Sequence, residues 1–313
     1  MLVEYAGQVS AQVLDPGIKL HSYLTIGAFR YARGTRLPLS LTLSQHTHMK
    51  KLPALDDLIS LKGKRALITG AAAGIGKAIA RRFADADASL CLVDIDADKL
   101  AVTERELADL GAHVSSHVVD VSKKSAIDEL WTDLHGREPD ILVNNAGIYP
   151  FEHFLDVEES LYRKVMGTNL DSVFWMCQQM IAKRMKQGGI IINIGSIEAM
   201  VAFKEELAHY AMSKAGVTAL TRALAKEHAK HGFRVNAILP GGIITPGTKK
   251  VAKKVLKLKL DLVMTGVEFM QRLPAGRMGR PDEVARMALV LASDLSSYMH
   301  GAAIPVDGGF LSA

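Results

Sequence analysis

Among the seven tyrosines of this 313-residue chain, only Tyr210 has a lysine four positions later, Lys214. Residues four apart on a helix share a face, so the lysine ammonium can lie beside the phenol. A phenol with its ordinary pKa of about 10 is a poor base at neutral pH, and a neighbouring positive charge lowers that pKa. The pair therefore predicts a proton-transferring tyrosine with a reduced pKa.

Polar residues that could assist such chemistry follow two apolar segments. Ser196 comes after the segment 190–194, and the sequence Asn-Asn-Ala-Gly at 144–147 comes after 141–143. If both segments are parallel strands, their carboxyl ends meet at one edge of the sheet. There the Ser196 hydroxyl could hydrogen-bond a substrate oxygen as negative charge develops on it.

Two further polar residues flank the pair, Glu198 and His209. Either could hydrogen-bond a polyol, or be a loop residue without a catalytic role. The 11 histidines show no HExxH or other ligand pattern and no cysteine joins them, so we expect no catalytic metal.

A glycine-rich turn, Thr-Gly-Ala-Ala-Ala-Gly-Ile-Gly at 69–76, stands between a predicted strand and a predicted helix. Glycines permit a tight turn and a close approach of the backbone to a pyrophosphate, and the helix directs its free N–H groups at the phosphates. Three glycines are weak evidence alone, but this context favours dinucleotide binding.

Asp94 ends the second predicted strand, 18 residues after Gly76. A carboxylate at that position accepts hydrogen bonds from the adenosine ribose hydroxyls and repels a 2′-phosphate. Positions 95–98 contain no Arg or Lys, and Asp96 and Asp98 add negative charge. The sequence therefore predicts NAD rather than NADP as the cofactor, and the positive nicotinamide of NAD⁺ would lower the pKa of Tyr210 further.

The elements that position these residues alternate between strands and amphipathic helices from residue 65 onward. This alternation predicts an α/β fold with a doubly wound parallel sheet covered on both faces. We expect strands at 66–68, 90–93, 113–119, 141–143, 190–194, 234–238 and 303–306, and helices at 74–84, 98–110, 122–134, about 158–186, about 207–230 and 281–292.

These motifs, in this order, resemble the short-chain dehydrogenase/reductase family over about residues 60–313. The set comprises the glycine turn, Asp94, Asp120-Val121, the Asn-Asn-Ala-Gly sequence, Asn169, Ser196, Tyr210 with Lys214, the segment 240–245 and the closing Val-Asp-Gly-Gly at 306–309. Ser196 and Tyr210 are 14 positions apart, whereas many members have 13. The extra residue falls in a segment that lines the substrate pocket, so no single relative defines the substrate.

The resemblance implies a Rossmann fold and a role for each motif. Tyr210 would be the general acid/base, Lys214 would bind the nicotinamide ribose and lower the tyrosine pKa, Ser196 would polarise the carbonyl, and Asn169 would hold a water linking Lys214 to solvent. Asp120 and Val121 would contact adenine. Asn145 would contact the adenine-side ribose or its own strand. Ile243 and Thr245 would bind the carboxamide of the nicotinamide. Further cofactor-binding residues would be Gly70, Ala72, Gly74, Ile75, Gly76, Asp94, Ile95, Ala146, Gly147, Pro240 and Gly241.

The predicted activity is hydride transfer between NAD(H) and a secondary alcohol or ketone, with a homotetramer or homodimer as the assembly. Substrate candidates are 3-oxoacyl carrier-protein thioesters, sugars or polyols, and hydroxysteroids, of which the first two resemble this chain more. The NADPH preference common among biosynthetic reductases disagrees with Asp94. An NAD(H)-binding sensor on the same fold is the alternative without catalysis, although such proteins tend to lose the tyrosine or the lysine, and here both are present.

Composition narrows the other functional classes. The net charge of +5 comes largely from six lysines in 249–259, and no nucleic-acid motif accompanies them, so we expect no nucleic-acid partner. No apolar run approaches the ~18 residues of a membrane span. The two cysteines, Cys91 and Cys177, lie in apolar segments, which indicates buried thiols, a reducing compartment and a cytoplasmic location.

We expect two parts, an N-terminal extension at 1–48 and a nucleotide-binding domain at 49–313. The extension lacks sustained periodicity, and a flexible or artefactual leader, an ordered arm and a targeting segment are all open. Within the domain, 246–275 should form a substrate lid with Val251, Val255, Leu258 and Leu262 on one helical face. Lys250, Lys253, Lys254 and Lys257 would form either a solvated basic face or an attractant for an anionic substrate.

Overall fold

The computed structural model of the protein describes residues 52–248 and 269–313. The chain divides into two units, Met1–Pro53 and Ala54–Ala313, and every element named below belongs to the second. The predicted extension at 1–48 and the lysine-rich face at 250–257 lie outside the described residues. Within those residues, no helix has the length and apolar character needed to cross a membrane.

The described residues alternate strands with helices. The strands are β1 (Arg65–Thr69), β2 (Ser89–Asp94), β3 (Val114–Val118), β4 (Ile141–Asn144), β5 (Gly189–Ile194), β6 (Phe233–Pro240) and β7 (Ala303–Val306). The α-helices are α1 (Leu55–Ile59), α2 (Gly74–Asp85), α3 (Ala97–Ala108), α4 (Lys124–Asp133), α5 (Glu159–Met166), α6 (Ser172–Arg184), α7 (Ala208–His228) and α8 (Pro281–Ala292).

The seven strands form one parallel sheet in the order β3-β2-β1-β4-β5-β6-β7. This confirms the predicted doubly wound α/β fold. The chain proceeds outward from β1 in one direction and then returns to the other side of β1 through β4, where Leu67 pairs with Leu142. Ligands bind at such a reversal, outside the carboxyl ends of the strands.

Alternating side chains of the strands enter two separate cores, one on each face of the sheet. In β1, Ala66 and Ile68 pack with residues of α2 and α8, including Ile79 and Val284. Leu67 points to the opposite face and joins the core formed with α4, α6 and α7. All of β1 except Arg65 is buried, as expected for a strand covered on both sides.

The helical region predicted over about 158–186 contains an irregular turn. A π-helical turn, Gly167–Asp171, separates α5 from α6. Glycine, threonine and asparagine in this turn have low helix propensity, and π-turns of this kind are frequent at functional sites. Asn169 in this turn is fully buried, with its amide bonded outside the helix. The predicted helical region is therefore present, and the π-turn within it was not predicted.

Candidate active site

A cleft of about 1010 Å³ lies where the carboxyl ends of the strands meet. Loops following β1, β2, β4, β5 and β6 all contribute to its walls, as the topology requires. Most predicted site residues line it: Gly70, Gly74, Ile75, Asp94, Ile95, Asp120, Val121, Asn145, Ala146, Gly147, Ser196, Tyr210, Lys214, Pro240, Gly241, Ile243 and Thr245.

Three predicted site residues, Ala72, Gly76 and Asn169, are not among those lining the cleft. The Ala72 N–H donates to Oδ2 of Asp94 at 2.9 Å, so it supports the carboxylate instead of facing a ligand. A side chain at Gly76 would place its Cβ 2.1 Å from the carbonyl oxygen of Gly70, so this glycine permits close packing of helix and turn. Each therefore acts behind the cleft surface.

The glycine turn is connected to β4 by two polar side chains. The Thr69 hydroxyl accepts the N–H groups of Asn145 and Ala146, each at 3.0 Å. In return, the Asn145 amide donates to the carbonyls of Thr69 at 2.9 Å and Gly70 at 3.0 Å. Asn145 therefore fixes the turn to its own strand, the second of the two contacts expected for it.

Gly70 has a backbone φ of +66°, which L side chains rarely adopt. A Cβ there would lie 2.9 Å from Cα of Ala146. The turn therefore requires glycine for both conformation and space.

The Asp94 carboxylate combines a structural role with a position in the cleft. Oδ2 accepts the Ala72 N–H, and Oδ1 accepts the Asp96 N–H at 3.0 Å. A carboxylate oxygen has two lone-pair sites, so both oxygens retain acceptor capacity toward the cleft.

Tyr210 and Lys214 lie near the start of α7, and both line the cleft. Nζ of Lys214 donates to the carbonyl oxygen of Ile194 at 2.8 Å and lies 6.0 Å from the centroid of the Tyr210 ring. Burial lowers the pKa of Lys214 to about 8. The amine is thus held by the end of β5, beside the phenol.

The predicted fall in the pKa of Tyr210 does not occur in the protein without cofactor. Burial raises the pKa of Tyr210 to about 12; a hydrogen bond with Ser196 opposes this, and the nearby Glu198 and Tyr149 add to it. The prediction counted the lysine charge and omitted desolvation, which is the larger effect for a phenol buried among other side chains.

Ser196 lies directly beyond β5 and is buried, with 7% of its surface exposed. Its Oγ accepts the Glu198 N–H at 3.2 Å, which begins a short 3₁₀ helix, Ile197–Ala199. The hydroxyl proton is not needed for that bond, so it can be donated toward Tyr210 or a ligand.

Asn169 fixes a loop that borders the cleft. Its Oδ1 accepts the Ile148 N–H, and its Nδ2 donates to the Ile148 carbonyl, both at 2.8 Å. Nδ2 also reaches the Ser213 hydroxyl at 3.2 Å. With its amide so occupied, the side chain positions the segment after β4. The water that Asn169 was expected to hold would need another of its atoms.

A family model described as enoyl-(acyl carrier protein) reductase matches residues 70–311 of the chain. The chain is 38% identical to a 3-oxoacyl-[acyl-carrier-protein] reductase of Thermotoga maritima over 255 residues, which is 80% of this chain and 99% of that protein. It is also 38% identical to galactitol 2-dehydrogenase (L-tagatose-forming) of Cereibacter sphaeroides over 254 residues, 80% of this chain and 96% of that one. The chain belongs to the short-chain dehydrogenase/reductase family.

Solved structures of other short-chain dehydrogenases share its fold. One is of a putative 2-deoxy-D-gluconate 3-dehydrogenase from Agrobacterium tumefaciens with bound NADP, 32% identical, covering 82% of this chain and all of that one, with a TM-score of 0.75. Another is of a 7α-hydroxysteroid dehydrogenase with NADH and 7-oxo glycochenodeoxycholic acid, 33% identical, covering 82% and 98%, also with a TM-score of 0.75. Neighbours in this family therefore bind nicotinamide cofactors of either kind.

The cleft of this short-chain dehydrogenase fits a dinucleotide at its glycine-turn end. Helix α2 begins there without a side-chain cap and without an acidic residue in its first turn, so its N–H groups are open to an anion. On the adjacent turn after β6, Thr245 lies 3.5 Å from where a Cβ on Gly74 would stand. The Thr248 hydroxyl accepts the Thr245 N–H at 2.7 Å and holds the turn that carries Ile243 and Thr245.

The other end of the cleft contains residues that the sequence analysis did not single out. Phe203 packs edge-on against Phe269, with ring centroids 5.2 Å apart, and Lys204 lies 4.2 Å from the Phe151 ring centroid. They contribute to a mostly apolar wall beside Glu198, one of the two candidates for polyol binding. Further lining residues in this region are Tyr149, Ile197, Leu207, Met270 and Met278.

His209, a candidate for polyol binding, is absent from the cleft wall. It is buried, with 5% of its surface exposed, and its Nε2 lies 3.1 Å from the Pro150 carbonyl. A carbonyl can only accept, so Nε2 carries the proton and the ring anchors the loop. Among the described residues, no group of three or more His, Cys, Asp or Glu could hold a metal ion.

Proposed function

We propose that this short-chain dehydrogenase transfers a hydride between NAD(H) and a secondary alcohol or its ketone, with Tyr210 as general acid/base. The convergence of Ser196, Tyr210 and Lys214 on one buried end of the cleft supports this proposal. During oxidation, the Tyr210 oxygen takes the hydroxyl proton as the C–H hydrogen departs with its electron pair; reduction is the reverse. When bound, the nicotinamide supplies the hydride acceptor or donor.

The neighbours of Tyr210 have separate roles in this scheme. The Ser196 hydroxyl donates to the substrate oxygen and stabilises the charge that develops there. The Lys214 ammonium, held against Ile194, contributes positive charge near the phenol. Its pKa of about 8 leaves it mainly protonated at neutral pH.

NAD(H) is the proposed cofactor because of the charge near the adenosine end. Asp94 lines the cleft with spare acceptor capacity for ribose hydroxyls, and its carboxylate would repel a 2′-phosphate. Repulsion of this kind costs binding energy specifically for NADPH.

Reduction of a 3-oxoacyl thioester is the second candidate. The similarity to the Thermotoga maritima reductase favours it. The acyl chain of a carrier-bound substrate would lie along the apolar wall around Phe203. Comparing turnover of hydroxyacyl thioesters with that of polyols, sugars and cyclic alcohols distinguishes this candidate from an alcohol or polyol dehydrogenase.

The assembly and location follow from the family and the cysteines. We propose a homodimer or homotetramer, which light scattering after size-exclusion chromatography would measure. Cys91 and Cys177 are both free and buried, which is consistent with the proposed reducing cytoplasm.

The decisive experiment follows NADH absorbance with NAD⁺ and this alcohol panel. Tyr210→Phe removes the proton-transferring oxygen, whereas Tyr298→Phe is the matched control at a side chain that is 98% exposed. Turnover that falls at least about a hundredfold only in the first variant supports the proposal. A protein that binds NADH and oxidises nothing in the panel would be a sensor.

A further inference from the structure

Among the described residues, three buried side-chain polar atoms have no hydrogen-bond partner: the Tyr149 hydroxyl, Nδ1 of His209 and Nδ1 of His228. A neutral histidine nitrogen without its proton is only an acceptor, so the hydroxyl is the one certain donor among them. Of the three residues, only Tyr149 lines the cleft. A buried hydroxyl without a partner is costly, which indicates that something outside the chain completes it.

The backbone on both sides of Tyr149 is held in place. Ile148 exchanges two hydrogen bonds of 2.8 Å with the Asn169 amide, and the Pro150 carbonyl is bonded to His209. Two anchors on adjacent residues leave the Tyr149 backbone little freedom.

Neighbouring rings fix the Tyr149 side chain as well. Its ring centroid is 5.8 Å from that of Phe151 in an edge-on arrangement and 6.0 Å from that of Tyr210. Its Cε1 is 4.0 Å from where a Cβ on Gly247 would stand. The ring therefore lies between the acid/base and the turn after β6, while its hydroxyl meets no protein group.

The Tyr149 side chain packs beside the acid/base, with its ring centroid 6.0 Å from that of Tyr210. Its electrostatic effect raises the pKa of Tyr210, as does that of Glu198 on another wall of the cleft. Oε2 of Glu198 accepts the Phe203 N–H at 3.2 Å, which orients the carboxylate. Tyr149 and Glu198 thus line the cleft that contains Tyr210, and they offer a donor and an acceptor in addition to Ser196.

We propose that the Tyr149 hydroxyl donates a hydrogen bond to a second substrate oxygen, on the carbon next to the reacting one, and that Glu198 accepts a hydrogen bond from a hydroxyl of the same substrate. The substrate class is then a vicinal diol or polyol and its α-hydroxyketone. A thioester carbonyl could accept from Tyr149 but has no proton for Glu198. This inference rests on the proposed function and specifies its substrate.

The test compares trans-cyclohexane-1,2-diol with cyclohexanol, which differ only in the neighbouring hydroxyl. The variants are Tyr149→Phe, Glu198→Gln and the exposed control Tyr298→Phe, with thermal melting to verify folding. Two readouts are used: kcat/KM with NAD⁺, and the Kd of each alcohol for the enzyme–NADH complex from NADH fluorescence. The second readout does not depend on turnover.

We expect the wild-type enzyme to favour the diol in both readouts. Tyr149→Phe should reduce that preference about tenfold or more, mainly through Kd and KM, because it deletes one hydrogen bond. Glu198→Gln should also reduce it, and Tyr298→Phe should not. Equal affinity for the two alcohols, no measurable diol binding, or an equal loss for both in Tyr149→Phe would overturn the inference. Diol-selective binding that Tyr149→Phe reduces, together with no turnover of any alcohol in the panel, would overturn the proposed function and leave only a binding site for a vicinal diol.

Discussion

The Lys214 ammonium donates its hydrogen bond to the main-chain carbonyl of Ile194, 2.8 Å away, and not to the phenol of Tyr210. Ile194, the last residue of β5, therefore fixes the position of the Lys214 charge, and helix α7 places the Tyr210 phenol beside it. Lys214 is buried, with 4% of its surface exposed, so desolvation opposes the charge that its amine carries at neutral pH. The positive charge that Lys214 brings to the site therefore lowers the stability of the folded protein.

Lys214→Met should change how stability depends on pH. The folded protein releases the Lys214 proton near pH 8, whereas the unfolded chain holds it to about 10.5, so between these values the unfolded state binds more protons. Wild-type stability should therefore rise with pH relative to the variant, by up to about 3 kcal/mol across this window. Urea unfolding at about pH 7 and about pH 10 measures the difference.

Lys226→Met is the control for this experiment, since Lys226 is an exposed lysine on the same helix. The difference between wild type and this variant should stay constant with pH. A constant difference for Lys214→Met as well would mean that the folded and unfolded states hold the Lys214 proton equally tightly, so that burial does not lower its pKa.

The pKa of Tyr210 should make NAD⁺ binding pH-dependent. Without cofactor, burial keeps the phenol protonated to about pH 12. A positive nicotinamide ring favours the phenolate, and by reciprocity the phenolate favours NAD⁺. Affinity for NAD⁺ should therefore rise with pH, by at most about tenfold per unit, with release of a proton. Calorimetry in two buffers of different ionisation enthalpy detects both effects.

Two controls isolate the phenol in that measurement. NADH has a neutral ring, so its affinity should not follow the same curve. Tyr210→Phe should abolish the pH dependence for NAD⁺ while preserving binding. If the variant shows the wild-type curve, another group is responsible.

Sequence patterns predicted the parts of this protein that depend on local chemistry. The strand at Arg65–Thr69 and the helix from Gly74 follow from apolar periodicity and from the glycines between them, and chain order then implies the cleft. The family motifs identify Ser196, Tyr210 and Lys214 as candidate site residues from their order in the sequence, without any knowledge of distances. These features are encoded within short segments, so a single sequence is enough.

Properties that arise from contacts between distant segments were not predictable in this way. The pKa of Tyr210 rises because segments far apart in sequence bury it, and no spacing expresses that burial. His209 turns to Pro150, 59 positions away, although its place beside Tyr210 suggested the pocket. Tyr149 belongs to no motif. Its one signal is its position two residues after Gly147, at the edge where the catalytic residues gather.

Asp94→Asn should narrow the preference for NADH over NADPH. The substitution removes the negative charge and retains one oxygen that can accept the Ala72 or Asp96 N–H. We expect NADPH to gain affinity, so that the ratio of the two Kd values falls about tenfold or more. Fluorescence titration of both cofactors gives that ratio.

Two other substitutions separate charge from structure at this position. Asp94→Ala deletes both acceptors, so it should loosen the turn and weaken both cofactors. Asp98→Asn removes a nearby exposed charge at the start of α3 without affecting the turn, and its effect should be small. A wild-type protein that binds NADPH more tightly than NADH would refute the cofactor assignment.

Gly76→Ala should damage cofactor binding although Gly76 is not among the residues lining the cleft. The new Cβ would lie 2.1 Å from the Gly70 carbonyl oxygen and 2.5 Å from Nδ2 of Asn145, the amide that fixes the turn to β4. Because the closest atom is backbone, no side-chain rotation relieves the contact, and the turn itself must move. Overpacking of this kind costs about 1–3 kcal/mol of folding free energy.

Gly167→Ala is the matched control for this prediction. Gly167 has a helical φ of −57°, and a Cβ there would stand 3.7 Å from its nearest neighbour, Cβ of Ser122. The unfolding free energy and the NADH affinity of Gly167→Ala should remain near the wild-type values, whereas Gly76→Ala should lower both. Adding Asn145→Ala to Gly76→Ala should not restore binding, because the contact with the Gly70 carbonyl persists. Restoration would instead show that the amide, and not the turn backbone, requires glycine at position 76.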